Sequence, residues 1–361
     1  MSFNRSACHF VFFIHGIHGN EKELAYLMNA MKNSIESRKD MLSQNIVFHS
    51  AKCNVGRTWD GVINGGARLA QEVESVIAET QLEDGTSAYL TFVGNSLGGI
   101  YARYAIAHIH PSEQIVPFIF CTIATPHLGV ANHTYIPIPS WTEKLVSNFL
   151  GATGHDLFQR TPLLNEMGTS ETYLEPLKRF RKRIALANAF GTDFQVPVST
   201  AAFLSKTSDV VHHILPSKTE YALAVETEQT NVQDHNDVSQ NLDALGWTKI
   251  FLDVRKEIPF PSIPRPFADD TYIPQDQAMW RSFELRKIMS NKGKRWNLPV
   301  GHMVSCVNSR DKLYEWLSSK GQPFMDQLAD DLVQMIYDSE NCEVEAKQVE
   351  CPEHVGTSLP Q

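Results

Sequence analysis

A serine stands between two glycines in the segment 94–98, which has the form Gly-x-Ser-x-Gly with Ser96 at its centre. A serine hydroxyl is a poor nucleophile until a base removes its proton. In this pattern the serine occupies a sharp turn between a strand and a helix, where only small residues fit two positions away. An apolar run, 88–93, precedes the segment and a helix-like stretch, 100–110, follows it. This context favours a nucleophile over a plain glycine-serine turn.

A second short motif, His15-Gly16, directly follows the apolar run 10–14. Attack by a serine on a carbonyl creates a negative oxygen that backbone N–H groups must hold. With this kind of serine turn, one donor is the residue after the serine and the other lies in the loop after an early strand. We therefore expect Leu97 and Ile17 to be the donors. The alternative is a simple turn with a buried histidine, and we expect His15 itself to be structural rather than a base.

An acid should follow the serine in the chain. Enzymes with this Gly-x-Ser-x-Gly turn have their catalytic residues in the order serine, acid, histidine. Asp193 comes just after the apolar run 184–189, which predicts a strand. A carboxylate there could orient an imidazole and stabilise its protonated form. Asp209 and Asp237 remain alternatives, and a solvated or capping aspartate is the common structural explanation.

A base should lie near the C-terminal end of the chain. His302 follows Gly301 and precedes the apolar stretch 303–307, which predicts a last strand. The position and the chain order together favour His302 as the base. The chain also has His212, His213 and His235 after the acid, without so clear a flanking strand.

The elements that would position these residues alternate along the first third of the chain. Apolar runs predict strands, and stretches with apolar residues three and four apart predict helices. Such alternation is typical of parallel strands joined by right-handed crossovers. We therefore predict an α/β fold with a mostly parallel central sheet and helices on both faces. The predicted strands lie at 10–14, 46–49, 88–93 and 115–124, and the predicted helices at 21–37, 67–79 and 100–110.

The pattern changes after residue 129, where prolines, aromatic residues and short helical pieces follow one another. We expect residues 1–340 to form one domain, with a cap or lid inserted at about 130–180. Apolar residues of this cap could line a tunnel for an acyl chain or form an ordinary packing face. Residues 341–361 are polar, and we expect a disordered tail there.

Charge and cysteine spacing exclude other classes of protein. The formal net charge of −9 argues against a nucleic-acid partner, which would need excess Lys and Arg. The six cysteines show no pair at metal-ligand spacing, so we predict no metal site. Scattered free thiols suit a reducing compartment, and we expect a cytoplasmic protein.

Membrane contact rests on two features of the sequence. The apolar run 9–14 is too short for a signal peptide, and no stretch approaches the roughly 20 apolar residues of a membrane span. The basic run Lys178–Arg183 could touch anionic lipid headgroups. We favour the alternative that it is the solvated end of a helix. Transient contact with a membrane or lipid-droplet surface therefore stays open, as does the oligomeric state.

Four motifs together resemble a known family. They are FIHGxxGN at 13–20, GNSLGG at 94–99, TPHLG at 125–129 and, from 188 to 202, Asn-Ala, Asp193, Val-Pro and Thr-Ala-Ala. This set is similar to the lipase-like serine esterases, domain-of-unknown-function family 676, of the α/β-hydrolase superfamily. The similarity covers about residues 8–205. Relatives often carry His-Asn where this chain has His302-Met303.

The resemblance implies a Ser96, Asp193 and His302 triad acting on an acyl ester or glycerolipid. It also implies a substrate pocket bordered by His15, Gly16, Thr125, Pro126 and His127. We therefore predict a serine hydrolase that cleaves carboxylic esters of lipids and needs no cofactor. A thioesterase or acyltransferase could use the same triad, and a non-catalytic hydrolase fold could serve as a binding module.

Overall fold

The computed structural model describes most of the chain. The described residues are 7–38, 45–83, 86–110, 112–131, 147–190, 192–193, 195–204, 210–216, 218–231, 237–258, 263–264, 295–296 and 301–349.

An eight-stranded sheet forms the centre of the molecule, in the order β2-β1-β3-β4-β5-β8-β7-β6. The strands from β2 to β8 pair in parallel, whereas β7 is antiparallel to both of its neighbours. The predicted, mostly parallel sheet is therefore confirmed. The strands are β1 (Ala7–Ile14), β2 (Asn45–Ser50), β3 (Ser87–Asn95), β4 (Ile115–Ile123), β5 (Lys182–Asn188), β6 (His212–Ile214), β7 (Leu223–Thr227) and β8 (Thr248–Leu252). A separate pair is formed by β9 (Ile263–Pro264) and β10 (Arg295–Trp296).

Helices cover both faces of this sheet. Successive side chains of a strand point to opposite faces of the sheet, so the apolar residues of β1 contribute alternately to two separate cores. Phe10 and Phe12 face a core that contains residues of the helices at 62–79 and 97–105. Val11 and Phe13 face a core that contains residues of the helices at 25–36 and 322–349. The helices are α1 (Ala25–Glu36), α2 (Val62–Glu79), α3 (Leu97–Ala105), α4 (Gly151–Leu157), α5 (Leu163–Thr169), α6 (Glu171–Lys178), α7 (Val198–Ala201), α8 (Val238–Asp243), α9 (Gly301–Val304), α10 (Lys312–Ser318) and α11 (Gln322–Val349), the last preceded by the 3₁₀ turn Ser319–Gly321.

The long terminal helix α11 packs on α1, although the two are about 300 residues apart in the chain. The Tyr26 hydroxyl donates to Asp326 at 2.8 Å, and the Ser34 hydroxyl donates to Asp330 at 2.5 Å. Leu328 and Leu332 of α11 are fully buried in the same core as Leu27. Helices α1 and α11 therefore lie side by side on one face of the sheet.

The structure departs from the sequence predictions in the C-terminal part. Residues 303–307, predicted as a strand, lie in α9 and the turn that follows it, so this prediction is wrong. Helix α11 continues to Val349, nine residues into the predicted disordered tail, and residues 350–361 lie outside the described part. Residues 343–348 of the tail include Glu, Ala, Lys and Gln, which have good intrinsic helix propensity and can extend a helix already anchored by packing.

The predicted cap lies between β4 and β5. Its residues 132–146 are outside the described part, and the remainder forms α4, α5 and α6. Leu163, Leu164 and Met167 of α5 are buried in the same core as α3, so this part packs as a helical crossover. The basic run Lys178–Arg183 joins α6 to β5 at the amino end of the parallel strands. Within the described residues, no helix is both long and apolar enough to span a membrane.

Candidate active site

Ser96 stands on the turn between β3 and α3, with φ 53° and ψ −123°. A positive φ is costly for a residue with a side chain and persists only where the surroundings enforce it. A side chain at Gly94 would collide with Gly99, and one at Gly98 would collide with the Ile14 carbonyl. The Ser96 N–H donates to the Ile123 carbonyl at 2.8 Å, which ties the turn to β4. The predicted strand–turn–helix is therefore present.

The loop after β1 lies against this turn. A Cβ added at Gly16 would lie 2.9 Å from the Ser96 Cβ, so a glycine is needed where the loop passes the serine. The His18 N–H donates to Thr58 Oγ1 at 3.0 Å, and the Gly19 N–H donates to the Gly16 carbonyl at 3.1 Å. The Gly16 N–H also has an acceptor, described below. Of the amides at 16–19, Ile17 is the one without a protein acceptor among the described residues.

Asp193 and His302 meet, although they are 109 residues apart in the chain. His302 Nδ1 lies 2.7 Å from Asp193 Oδ2, and both side chains are buried. The same carboxylate oxygen accepts from Asn188 Nδ2 at 3.0 Å. The other oxygen accepts the N–H groups of Gln195 and Val196, at 3.0 and 2.9 Å. The carboxylate is thus fixed by the loop after β5, and Nε2 is the ring nitrogen that Asp193 does not engage.

The pKa of His302 is raised above its ordinary value. Burial of the imidazole lowers its pKa, since it disfavours the charged form. The charge and hydrogen bond of Asp193, together with the charge of Glu23, outweigh that effect. The surroundings of His302 therefore favour an imidazolium.

Glu23 is a second buried carboxylate beside the turn, and sequence reasoning missed it. Its Oε1 accepts the Gly16 N–H and the Asn95 Nδ2–H, both at 2.7 Å. The side chain is only 2% exposed. No motif marks this residue, because a glutamate just before a helix is common on any surface. We call Glu23, Asn95, Asp193 and His302 the carboxylate cluster.

Comparison with known proteins identifies the family of this chain. A family model described as "Putative serine esterase (DUF676)" matches residues 4–207, more than half of the 361 residues. The chain belongs to this family. The nucleophile turn, the loop after β1 and Asp193 all fall inside the matched segment, whereas His302 falls outside it.

Two yeast proteins are similar to this serine esterase family member over part of its length. "Putative lipase ROG1" of Saccharomyces cerevisiae is 33% identical over 210 residues, which are 54% of this chain and 28% of the relative. "Putative lipase C4A8.10" of Schizosaccharomyces pombe is 29% identical over 218 residues, 56% of this chain and 27% of the relative. The matched region thus spans less than a third of these relatives. A solved structure, the mature lipase BlEst2 of Bacillus licheniformis, is 19% identical over 54% of this chain and 69% of that chain, with a TM-score of 0.32.

The residues expected at the pocket of this family member are all buried. His15 is 2% exposed, and its Nδ1 lies 2.9 Å from the Gly16 carbonyl oxygen. Thr125 packs against Gly99 behind the serine turn and donates to the Gly94 carbonyl at 3.4 Å. Gly16 and Pro126 are buried as well. These contacts support the turn from behind, and a role in binding substrate stays a prediction.

His127, the last expected pocket residue, belongs to a different buried group. Its Nε2 lies 3.0 Å from Thr122 Oγ1, and its carbonyl accepts from the Arg103 guanidinium at 3.2 Å. Lys249 and Asp243 form a fully buried ion pair, and the Lys249 ammonium lies 4.2 Å from the centroid of the Phe203 ring. The ring of Phe203 in turn packs on that of His127. We call Arg103, His127, His212, Asp243 and Lys249 the cationic cluster.

Electrostatics in the cationic cluster are opposite to those around His302. Burial, Arg103 and Lys249 all lower the pKa of His127 well below its ordinary value. Burial and Lys249 lower the pKa of His212 to about 3, despite a hydrogen bond with the Val210 carbonyl. Neither histidine is suited to accept a proton near neutral pH.

The remaining alternatives for acid and base lie elsewhere. Asp237 caps α8 by accepting the N–H groups of Ser239 and Gln240. His213 is exposed and pairs with Glu228 at 2.6 Å. Asp209 and His235 lie outside the described residues. Among the described candidates, Asp193 and His302 are the acid and histidine that contact each other.

Proposed function

We propose that this chain is a serine hydrolase that cleaves carboxylic esters of lipids, with Ser96 as nucleophile, His302 as base and Asp193 as the acid that orients it. The observation that carries the proposal is the 2.7 Å contact between His302 Nδ1 and Asp193 Oδ2. An imidazole held through Nδ1 by a carboxylate has Nε2 available for a serine hydroxyl. The strained turn at Ser96 and the family membership support the same assignment.

The reaction follows from these roles. His302 Nε2 takes the Ser96 proton while Ser96 Oγ attacks the ester carbonyl carbon. The N–H groups of Leu97 and Ile17 hold the oxyanion. The imidazolium then protonates the departing alcohol, which leaves an acyl-enzyme. A water molecule, deprotonated by His302, attacks this ester and releases the carboxylic acid and Ser96.

Two further observations support parts of this mechanism. The free amide of Ile17 lies in a loop whose other N–H groups are engaged by the protein, as an oxyanion donor requires. The raised pKa of His302 also fits a base that must carry positive charge in the transition state.

The substrate class is proposed from the names of the relatives, and the cellular location from the free cysteines. Lipid esters are favoured because the curated relatives are named as lipases. His15, Gly16, Thr125, Pro126 and His127 are the residues that we propose to border the substrate pocket, and no cofactor is required. The described cysteines, Cys8, Cys53, Cys121 and Cys306, are free thiols, which suits the cytoplasm. Transient contact with a membrane or lipid-droplet surface belongs to the same proposal.

A labelling and hydrolysis experiment tests the proposal. Wild type, Ser96→Ala and His302→Ala are treated with a fluorophosphonate probe and assayed on monoacylglycerols, phospholipids, thioesters and short-chain aryl esters. We expect wild type to be labelled and to hydrolyse esters, and Ser96→Ala to lose both activities. His302→Ala should lose on the order of 10⁴-fold in kcat/KM.

Folding controls and the substrate panel decide between outcomes. Circular dichroism and a cooperative thermal transition show that each variant is folded. A folded wild type that is neither labelled nor active on any ester would refute the proposal in favour of a binding module. Faster turnover of thioesters, or acyl transfer to an added alcohol, would reassign the reaction on the same triad.

A further inference from the structure

The buried carboxylate of Glu23 lies where the two halves of the proposed oxyanion site meet. One half is the loop 15–19, and the other is the serine turn. Glu23 Oε1 accepts one hydrogen bond from each half: the Gly16 N–H of the loop and the side-chain amide of Asn95, the residue before Ser96. Both distances are 2.7 Å, which is short for bonds to a nitrogen donor and typical of an ionised acceptor.

The loop is shaped around this side chain. A Cβ added at Gly19 would collide with Glu23 Oε2, and one at Gly16 would lie 3.4 Å from Oε1. The backbone of Glu23 is also fixed, because its carbonyl accepts the Ser309 N–H at 3.1 Å and its N–H donates to the Asn20 carbonyl at 3.1 Å. The backbone that carries the carboxylate is thus held from one side by the segment that follows α9 and from the other by its own loop.

Glu23 also acts on the proposed base. The charged groups that influence His302 are Asp193, after β5, and Glu23, before α1, and both raise its pKa against the lowering effect of burial. The buried thiol of Cys306, one turn beyond His302, has its pKa raised by burial first and then by both carboxylates. The two carboxylates therefore act both on a residue of α9 and on the turn that follows it.

We propose that Glu23 is a positioning residue that joins the oxyanion loop to the nucleophile turn through its two hydrogen bonds and adds a second negative charge to that of Asp193 near His302. The proposal rests on the proposed function of Ser96 and His302. Glu23 does not touch the substrate. It keeps the Gly16 amide away from the substrate oxygen and so leaves Ile17 as the loop donor, and its charge adds to that of Asp193.

Three variants of Glu23 distinguish the effect of losing its hydrogen bonds to Gly16 and Asn95 from the effect of losing its negative charge. Glu23→Ala leaves the Gly16 and Asn95 donors buried without an acceptor, and we expect kcat/KM to fall on the order of 10²-fold, mainly through kcat. Glu23→Asp keeps the charge but is one methylene too short to reach both donors, so it should lose rate while the His302 pKa stays raised. Glu23→Gln keeps the reach but loses the charge, so it should lose less rate and lower the His302 pKa by about half a unit or more.

Glu72→Gln is the matched control. Glu72 also accepts two backbone N–H groups, from Lys52 and Cys53, and lies close to the imidazole of His49, but it belongs to α2. The same exchange of carboxylate for amide at that position should leave the acid limb of the pH–rate profile in place. In Glu23→Gln that limb should move to lower pH, since a less basic imidazole stays deprotonated at lower pH.

An NMR titration of the histidine imidazoles of the full chain makes the outcome independent of activity. If wild type is inactive, the proposed function fails, yet the His302 pKa in Glu23→Gln still reports on Glu23. An unchanged His302 pKa in folded Glu23→Gln, or a kcat/KM for folded Glu23→Ala within about twofold of wild type, would overturn the inference. Should Glu23→Ala not fold, Glu23→Asp and Glu23→Gln carry the same decision.

Discussion

Two buried clusters of ionisable side chains lie in this fold, and both contain histidine beside a carboxylate. In the carboxylate cluster, His302 faces Asp193 and Glu23, and its pKa is raised. In the cationic cluster, His127 faces Arg103 and Lys249, and its pKa is lowered. Burial disfavours the charged form of both imidazoles by the same mechanism, so the sign of the neighbouring charges sets the difference. A buried histidine is therefore a base or a neutral packing residue according to the charges around it.

The role of the carboxylate differs between the clusters as well. Asp193 has the imidazole as its charged partner and takes its other bonds from neutral N–H groups. Asp243 is paired with the Lys249 ammonium in a fully buried ion pair. The first arrangement stabilises a charge that appears on the imidazole during reaction, whereas the second neutralises a permanent one. We therefore expect mutation of Asp193 to affect activity and mutation of Asp243 to affect stability.

The largest expected effect is that of Asp193→Asn. Without the carboxylate the imidazole loses its orientation and the stabilisation of its charged form, so kcat/KM should fall on the order of 10⁴-fold. Steady-state hydrolysis of a short-chain aryl ester measures the loss. A folded Asp193→Asn enzyme with near wild-type rates would remove the acid from the proposed mechanism.

Asp243→Asn is the counterpart in the cationic cluster. It leaves the Lys249 ammonium buried without a counter-charge, so the free energy of unfolding should drop by about 3–5 kcal/mol. Urea denaturation followed by tryptophan fluorescence measures this change. The kcat/KM of the remaining folded enzyme should stay within about twofold of wild type, since sites without shared partners act independently. A selective loss of activity at unchanged stability would contradict the division between the clusters.

The pH dependence of stability gives the next effect. The pKa of His212 is about 3 in the folded chain, and it is about 6.5 in an unfolded one. The unfolded state therefore binds more protons below pH 6.5, and stability falls as the pH decreases through that range. Between pH 6.5 and 5 the loss from His212 is about 2 kcal/mol. His302, whose pKa is raised, contributes with the opposite sign, so its share of stability is present at low pH and is lost as the pH rises through its folded value.

The variant His212→Gln isolates this contribution. Thermal melts at several pH values should show that the stability of wild type falls relative to that of the variant as the pH decreases. The reason is that the variant lacks the imidazole that takes up a proton on unfolding. Parallel melting curves across the whole range would show that His212 has an ordinary pKa in the folded state.

The smallest expected effect is that of removing the whole ion pair. Replacing Lys249 by Met together with Asp243 by Leu removes both charges at once, so no charge is left buried alone. Stability should lie within about 1 kcal/mol of wild type, because apolar replacements of buried pairs are often neutral. If the double variant is as unstable as Asp243→Asn, the attraction between Lys249 and Asp243 adds net stability to the fold.

The sequence predicted the elements that carry strong local signals. The central strands are continuous apolar runs because they are buried on both faces, and the serine turn is marked by glycines that only such a turn requires. Asp193, the proposed acid, is predicted from its place just after the apolar run of β5. These residues belong to the first two thirds of the chain, where the strand and helix periods are clear.

Other parts of the site depend on contacts between distant residues and could not be predicted. His302 was chosen by chain order, although the segment around it is a helix rather than the expected strand. Glu23 has no local signal, because its role comes from Gly16 and Asn95 across the fold. His127 is predicted to border the substrate, and its contact with Arg103, which approaches from α3, carries no signal in the sequence.

The docking of α11 on α1 has a consequence for how the molecule is made. Contacts between segments about 300 residues apart can form only after Asp326 and Asp330 have left the ribosome, and such distant contacts are costly in chain entropy. The sheet with its serine turn can assemble earlier, during synthesis. We expect the nascent chain to stay catalytically silent until its C-terminal third docks, and stalled chains that end before residue 322 to remain unlabelled by an active-site probe.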